Sequence, residues 1–74
     1  MDDLIPISCQ IPKHLSRIGK TQQWLADHAG ISKQQLSDYV NMRNLMGIIV
    51  AKRISDLLHI QIEDIYVWER QRSS

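Results

Sequence analysis

Residues 22–41, QQWLADHAGISKQQLSDYVN, decide the fold because they place three residues of different shape at fixed separations. Ala26 is small in mid-helix, so a following helix can cross close to it. Gly30 stands where a helix can end in a left-handed residue, a conformation that glycine adopts without steric cost. Leu36 then fills the space between the two helices. The stretch therefore predicts two helices joined by a sharp corner, which is a helix-turn-helix.

Helical periodicity continues on both sides of this stretch, because apolar residues recur at spacings of three and four without sustained strand-like alternation. Thr21 and Ser32 are predicted N-caps of the second and third helices, since their side-chain oxygens can accept hydrogen bonds from free backbone N–H groups. We therefore expect an all-α, five-helix domain. Its helices are predicted to run from Ile11 to Ile18, from Gln22 to His28, from Lys33 to Val40, from Ile48 to Leu58 and from Ile62 to about Glu69.

The length of 74 residues supports a single hydrophobic core and hence one small domain. This domain is expected to span residues 11–69, between an N-terminal arm of residues 1–10 and a tail of residues 70–74 that frays. A fold of this size has little room for the pocket that an enzyme needs. We therefore expect neither catalytic residues nor a small-molecule ligand.

Several other classes of protein are excluded by composition. The single Cys9 cannot form an internal disulfide, and no apolar run reaches the roughly 18 residues that span a bilayer. The N-terminus lacks the basic start and apolar stretch of a signal peptide, so we expect a cytoplasmic protein. The three histidines are scattered without the spacing of a metal site, so neither a metal nor another cofactor is expected.

The charge is distributed unevenly, although the formal net charge is only +1. Residues 13–53 contain seven basic and two acidic side chains, whereas the segments on either side are each net acidic. A basic middle segment can meet a polyanion, but charge alone favours a solvated helical surface equally.

The helix-turn-helix stretch resembles the lambda-repressor-like, or Cro/CI-type, transcriptional regulators, also called the XRE family. The resemblance begins near Ile11, runs through TQQWLADHAGIS (residues 21–32) and SKQQLSDYVN (residues 32–41), and continues into AKRISDLLHIQIEDIYVW (residues 51–68). The last of these is similar to the family's fourth and fifth helices. The ending EDIYVWE (residues 63–69) further resembles small regulators from phages, prophages and mobile elements of Firmicutes.

The resemblance implies a sequence-specific regulator, a repressor, that binds double-stranded DNA in a bacterial cell and inserts its third helix into the major groove. Phosphate contacts at the start of the second helix fall on Thr21 and Gln22. The third helix carries the base-reading positions, with backbone contacts just beyond it. This set comprises the cap Ser32, the base readers Lys33, Gln34, Ser37 and Asp38, and the backbone contacts Asn41, Arg43 and Asn44.

The side chains at these positions can form hydrogen bonds with the edges of bases in the major groove. Lys33 can donate to guanine, and Gln34 can pair with adenine through two hydrogen bonds. Asp38 leaves several roles open because phosphates repel a carboxylate. It either accepts from a cytosine, pairs with Arg43 or Lys33, or excludes wrong sites.

The chain also departs from the family pattern. Met42 stands where the family often has glycine after the third helix, and we expect Asn41 to take the left-handed conformation instead. Ile49 and Val67 are apolar at positions that are usually polar in the family, which suggests a partner surface. The candidates for homodimerisation are Ile49, Val67 with Trp68, and the apolar arm of residues 4–7, with the C-terminal side favoured.

Two functional classes remain open at this point. The first is a dimeric repressor that occupies an operator. The second is a protein-interaction module of the same fold, such as an antirepressor or accessory factor, which does not read DNA. The low net charge favours the second class, since most dedicated DNA binders carry a larger basic surplus.

Overall fold

The computed structural model describes residues 2–72, in which the chain forms four α-helices, one 3₁₀ helix and two β-strands. The order along the chain is strand, four helices, 3₁₀ helix, strand, so the two ends of the chain meet in a two-stranded antiparallel ribbon. The elements are β1 (Asp2–Cys9), α1 (Ile11–Ile18), α2 (Gln22–Ala29), α3 (Lys33–Val40), α4 (Ile48–Leu58), the 3₁₀ helix (Ile62–Asp64) and β2 (Tyr66–Arg72).

The ends of α2 and α3 form as the sequence predicts. The Thr21 hydroxyl accepts a hydrogen bond from the Trp24 N–H at 3.1 Å, and the Ser32 hydroxyl accepts one from the Gln35 N–H at 3.0 Å. Gly30 ends α2 with a φ of 73°, in the left-handed region. Both predicted N-caps and the predicted turn glycine are therefore confirmed, and they hold α3 at an angle to α2.

The hydrophobic core centres on α2, which packs against both α3 and α4. Ala26 of α2 and Leu36 of α3 are fully buried, as expected for a small residue at a close helix crossing and a larger one beside it. The 3₁₀ helix closes the core by placing Ile65 against α4. The other buried residues of this core are Ile11, Leu15, Leu25, Ala29, Ala51, Ile54 and Leu58.

The prediction of an all-α, five-helix domain is wrong. The chain from Ile62 turns through one 3₁₀ helix and then runs extended as β2, where a fifth helix to Glu69 was expected. The N-terminal arm is likewise a strand, β1. β2 reaches Arg72, within the tail expected to fray, and Ser73 and Ser74 lie outside the described residues.

Pairing between the strands gives the ribbon two distinct faces. Residues directly opposite one another share a face, so Tyr66 and Trp68 lie on the same face as Cys9 and Pro6. The register shifts between Pro6 and Ser8, because Ile7 has no partner and forms a bulge in β1. The molecule measures 43 × 22 × 19 Å along its principal axes. Eight extended residues span roughly 26 Å, so the ribbon can account for this elongation.

Candidate nucleic-acid interface

The face of α3 that turns away from the core is polar throughout. Leu36 and Tyr39 point inward and are buried, whereas Lys33 and Gln34 are exposed in the first turn of the helix. Ser37 and Asp38 continue this face one turn further and are half-buried. The four residues predicted to read bases therefore lie on one side of α3, the side that faces away from the core.

Asp38 is the centre of a hydrogen-bonded group on this face. Arg43 donates from Nε to Asp38 Oδ1 at 2.8 Å, and Gln34 donates from Nε2 to the same oxygen at 3.1 Å. The Arg43 hydrogen bond is the main reason why the pKa of the Asp38 carboxyl lies below its usual range, and the Gln34 bond acts in the same direction. Of the roles left open for Asp38, pairing with Arg43 is the one present in this structure.

The connector after α3 is tied back to the helix by further bonds. Asn41 donates from Nδ2 to the Ser37 carbonyl oxygen at 2.9 Å and to its hydroxyl at 3.2 Å. The backbone N–H groups of Arg43 and Asn44 both point at the Asp38 carbonyl oxygen, at 2.8 and 3.3 Å. Arg43 also donates from Nη2 to the Ser37 hydroxyl at 3.4 Å. One connected side-chain network therefore joins five of the predicted contact residues, namely Gln34, Ser37, Asp38, Asn41 and Arg43.

The expected backbone conformation of this connector is wrong in one respect. Asn41 has a φ of −89°, whereas Met42 takes the left-handed conformation with a φ of 61°. Asn41 instead uses its side chain to bond back to the Ser37 carbonyl oxygen. The chain turns at the position where the resembling family often has glycine, although the residue there is methionine.

The start of α2 provides a second group of candidate contacts. Thr21 is exposed and its hydroxyl caps the helix, while Gln22 is half-buried at the first helical position. Lys20 was missing from the sequence-based set, yet its ammonium lies 5.4 Å from the centre of the Trp24 ring at this helix end. The signal in the sequence that predicts such a contact is a basic residue directly before the N-cap Thr21.

The residues predicted for dimerisation lie in two separate places. Ile49 is 66% exposed in the first turn of α4, next to Ile48 at 70%. Val67 and Trp68 are 36% and 41% exposed on β2. The Trp68 indole is fixed in position, since Nε1 donates to the Glu63 carbonyl oxygen at 2.8 Å and its ring meets Tyr66 edge-on.

Within residues 2–72, no three histidine, cysteine, aspartate or glutamate side chains come together as a metal-binding group. Among the helices that the structure describes, none has both the length and the apolar character to cross a membrane.

Comparison with protein families agrees with this geometry. Residues 11–71 match the family described as the Cro/C1-type HTH DNA-binding domain. The match covers most of the chain, including the helix-turn-helix and the polar face of α3, so the chain belongs to this family. It is a DNA-binding transcriptional regulator. Neither the family nor the relative described below favours the alternative, a protein-interaction module that does not read DNA.

Among individual proteins, the chain is similar to the SPbeta prophage-derived uncharacterized HTH-type transcriptional regulator YopS of Bacillus subtilis (strain 168). The two are 38% identical over 65 residues, which cover 86% of this chain and 88% of YopS. The expected likeness to phage and prophage regulators is therefore confirmed. No solved structure matches the chain.

Proposed function

We propose that the protein is a repressor that occupies an operator as a homodimer in the bacterial cytoplasm, with α3 of each copy in the major groove. The observation that carries this proposal is the exposed polar face of α3, on which Lys33 and Gln34 stand at the N-terminal end. Residues near that end of a recognition helix reach base edges most directly. No catalytic step and no small ligand enter the proposal.

The Gln34–Asp38 hydrogen bond supports recognition of an adenine by the Gln34 side chain. One amide proton of Gln34 is donated to Asp38, which fixes the plane of the amide. The second amide proton and the amide oxygen remain for N7 and N6 of an adenine, the two-bond pairing that glutamine makes in the major groove. Lys33 beside it suits the acceptor atoms of guanine. Asp38 thus acts on the bases by positioning Gln34.

Phosphate contacts would surround this helix. Thr21 and Gln22 present backbone N–H groups at the start of α2, and Lys20 adds a positive charge there. Beyond α3, Asn41, Arg43 and Asn44 would meet the backbone on the other side, with Ser32 at the α3 N-terminus. The Arg43–Asp38 pair neutralises the one carboxylate on the face, so phosphates can approach it.

Two copies are proposed because one small module buries only modest surface on DNA. A twofold dimer places its two recognition helices about 34–36 Å apart, on one face of the duplex. Repression would follow when the dimer occupies a site that transcription needs. This mechanism requires no sensor domain within residues 2–72.

The test is a selection of duplexes from a random-sequence pool by the purified protein at near-physiological salt. We expect an enriched twofold-symmetric motif with half-sites about one helical turn apart. The variant Lys33→Ala/Gln34→Ala should lose the preference at the contacted base pairs, each pair being worth about 1–3 kcal/mol.

A matched control is Lys52→Ala/Gln61→Ala, which removes the same side chains from α4 and the segment after it. This control should select the same motif as the original protein. A Lys33→Ala/Gln34→Ala variant that keeps full discrimination would refute the proposed base contacts. Repression itself is tested by transcription in vitro from a promoter that overlaps the selected motif.

A further inference from the structure

Gln35 is an exposed side chain of α3 that was missing from the sequence-based set of contacts. It follows Lys33 and Gln34 in the first turn of α3, the end of a recognition helix that reaches base edges most directly. Its backbone is fixed there, because the Gln35 N–H donates to the hydroxyl of the cap Ser32 at 3.0 Å. Gln35 therefore lies at the end of the helix where base contacts are expected.

The side chain of Gln35 is anchored one turn further along α3. Gln35 donates from Nε2 to the Tyr39 hydroxyl oxygen at 2.9 Å. Tyr39 is buried, with an exposed fraction of 7%, so this acceptor belongs to a side chain that the fold holds in place. The same spacing of four residues joins Gln34 to Asp38. Two consecutive glutamines thus each donate one amide proton to a partner on the same helix.

We propose that Gln35 is a further specificity-determining residue, which reads an adenine at a base pair that neither Lys33 nor Gln34 contacts, and that Tyr39 is its positioning residue. The inference rests on the proposed function, since it requires α3 in the major groove. Because one Nε2 proton is donated to Tyr39, the other proton and Oε1 remain for N7 and N6 of the adenine.

Helix geometry separates the reach of Gln35 from that of its neighbours. Successive residues of an α-helix are rotated by about 100°, so Lys33 and Gln35 lie on opposite sides of Gln34. Ser37 follows Lys33 by four residues and shares its side of the helix. Gln35 extends the polar face of α3 on the other side. A base that Gln35 contacts is therefore a different one.

The anchored amide favours a base over a phosphate as the partner of Gln35. A phosphate oxygen accepts a single hydrogen bond over a broad range of directions, so a fixed amide plane adds little to such a contact. Pairing with a base edge through two bonds requires the amide to lie in the plane of the base. The bond to Tyr39 restricts the amide before DNA arrives, which reduces the conformational entropy lost on binding.

The test repeats the selection from a random-sequence pool and then measures affinity by fluorescence anisotropy, for the selected operator and for operators with single base-pair changes. Gln35→Ala should remove the preference at one base pair, where Lys33→Ala/Gln34→Ala keeps it. Discrimination there should fall by about 5- to 150-fold. The substitution places alanine at an exposed helical position, so the fold is kept. Gln61→Ala, the same change at an exposed position after α4, is the matched control and should keep every preference.

Tyr39→Phe tests the positioning role, because it keeps Gln35 and removes only the anchor. It should weaken the preference at the same base pair by less than Gln35→Ala does, and it should add nothing to the loss at that base pair when the two are combined. Tyr66→Phe removes the same hydroxyl from a tyrosine that bonds the Met46 N–H instead. This control should leave the preference unchanged.

A Gln35→Ala variant that keeps every preference overturns the proposal. One that loses affinity equally for all duplexes also overturns it, since a phosphate contact carries no sequence information. Full preference in Tyr39→Phe refutes the positioning role. If the original protein selects a motif that Lys33→Ala/Gln34→Ala loses, the proposed function survives any of these results. A folded protein that selects no motif refutes both the proposed function and this inference.

Discussion

Arg43 donates from Nε to Asp38 Oδ1 at 2.8 Å, and this ion pair joins the connector after α3 to the face of α3 that turns outward. The same carboxylate oxygen also receives the Gln34 amide. A residue that phosphates would repel is therefore neutralised by Arg43 on one side, and on the other side it orients Gln34, which we propose to read a base. This arrangement ties the position of Gln34 to the position of Arg43.

Replacing Asp38 with asparagine should strengthen binding to DNA of any sequence. Asp38→Asn removes a negative charge from the interface, so Arg43, whose charge Asp38 neutralises in this structure, makes its proposed phosphate contact with its full charge. One more unit of phosphate charge neutralised steepens the dependence of log affinity on log salt by about 1. Fluorescence anisotropy with a random duplex at several salt concentrations measures both effects.

The control for this substitution is Asp27→Asn. Asp27 on α2 accepts a hydrogen bond from Gln23 at 2.8 Å, which repeats the Gln34–Asp38 spacing. Among the side chains that the structure describes, no arginine pairs with Asp27. Its replacement changes the net charge equally but releases no cation. Equal gains in the two variants would mean that Asp38 acts only through net charge.

The pKa of Asp38 provides a test of the ion pair in the free protein. Because Arg43 lowers the folded-state pKa, the pair stabilises the protein at neutral pH, and this contribution is lost as the pH falls through that lowered value. Arg43→Ala should raise the pKa of Asp38 toward its usual range. Titration of side-chain carboxyl carbons by NMR measures this shift. An unchanged pKa in Arg43→Ala would show that the pair does not persist in solution.

Met42 and Asn41 should respond oppositely to replacement with glycine. Met42 holds a φ of 61°, and a non-glycine residue in this region is disfavoured by about 1–2 kcal/mol. Met42→Gly should therefore stabilise the fold by up to about 1 kcal/mol, after the loss of a half-buried side chain. Asn41→Gly should destabilise it, because Asn41 has a φ of −89° and loses its bonds to Ser37. Urea denaturation measures both, and changes of the same sign would contradict the assigned conformations.

The helices were predictable from sequence because their signals are local. Thr21, Gly30 and Ser32 act within one or two turns of chain, and each takes the predicted role. The ribbon was not predictable in this way, since its strands pair residues from opposite ends of the sequence. Ile62, Ile65 and Tyr66 also imitate helical spacing, although the first two belong to a single 3₁₀ turn and its end.

For the candidate site, sequence predicts which residues share a face but not how they bond. Lys33, Gln34 and Asp38 lie on the outer side of α3 as their spacing implies. The choice of Arg43 as the partner of Asp38 depends on the turn at Met42, which returns the connector toward the helix. That turn has no local signal in the sequence, because methionine seldom adopts the left-handed conformation.

Enlarging Ala26 should destabilise the helix-turn-helix. The residue is fully buried in the core beside α3, so Ala26→Leu forces extra volume into a close helix crossing. Overpacking of this kind costs about 1–3 kcal/mol. The control Asp27→Leu places the same leucine side chain at the neighbouring exposed position of α2, where it meets solvent. If thermal denaturation shows the same loss for both variants, close packing at Ala26 is not its cause.

The Tyr66 hydroxyl joins the ribbon to the connector before α4. It accepts a hydrogen bond from the Met46 N–H at 3.2 Å, and burial raises the pKa of Tyr66 above its usual value. Tyr66→Phe leaves this backbone N–H without its acceptor and should cost about 0.5–1.5 kcal/mol. The Tyr39 hydroxyl, by comparison, accepts a bond from the exposed Gln35 amide, which can turn to water.

Tyr39→Phe is therefore the matched control and should cost less than Tyr66→Phe in urea denaturation. Amide hydrogen exchange separates a local effect from a global one, because exchange at Met46 should accelerate more in Tyr66→Phe than the loss of overall stability explains. Unchanged relative protection at Met46 would mean that the tyrosine acts through ring packing against Trp68. The connector would then be free to move independently of the ribbon, since no other side-chain hydrogen bond among the described residues joins residues 41–47 to β2.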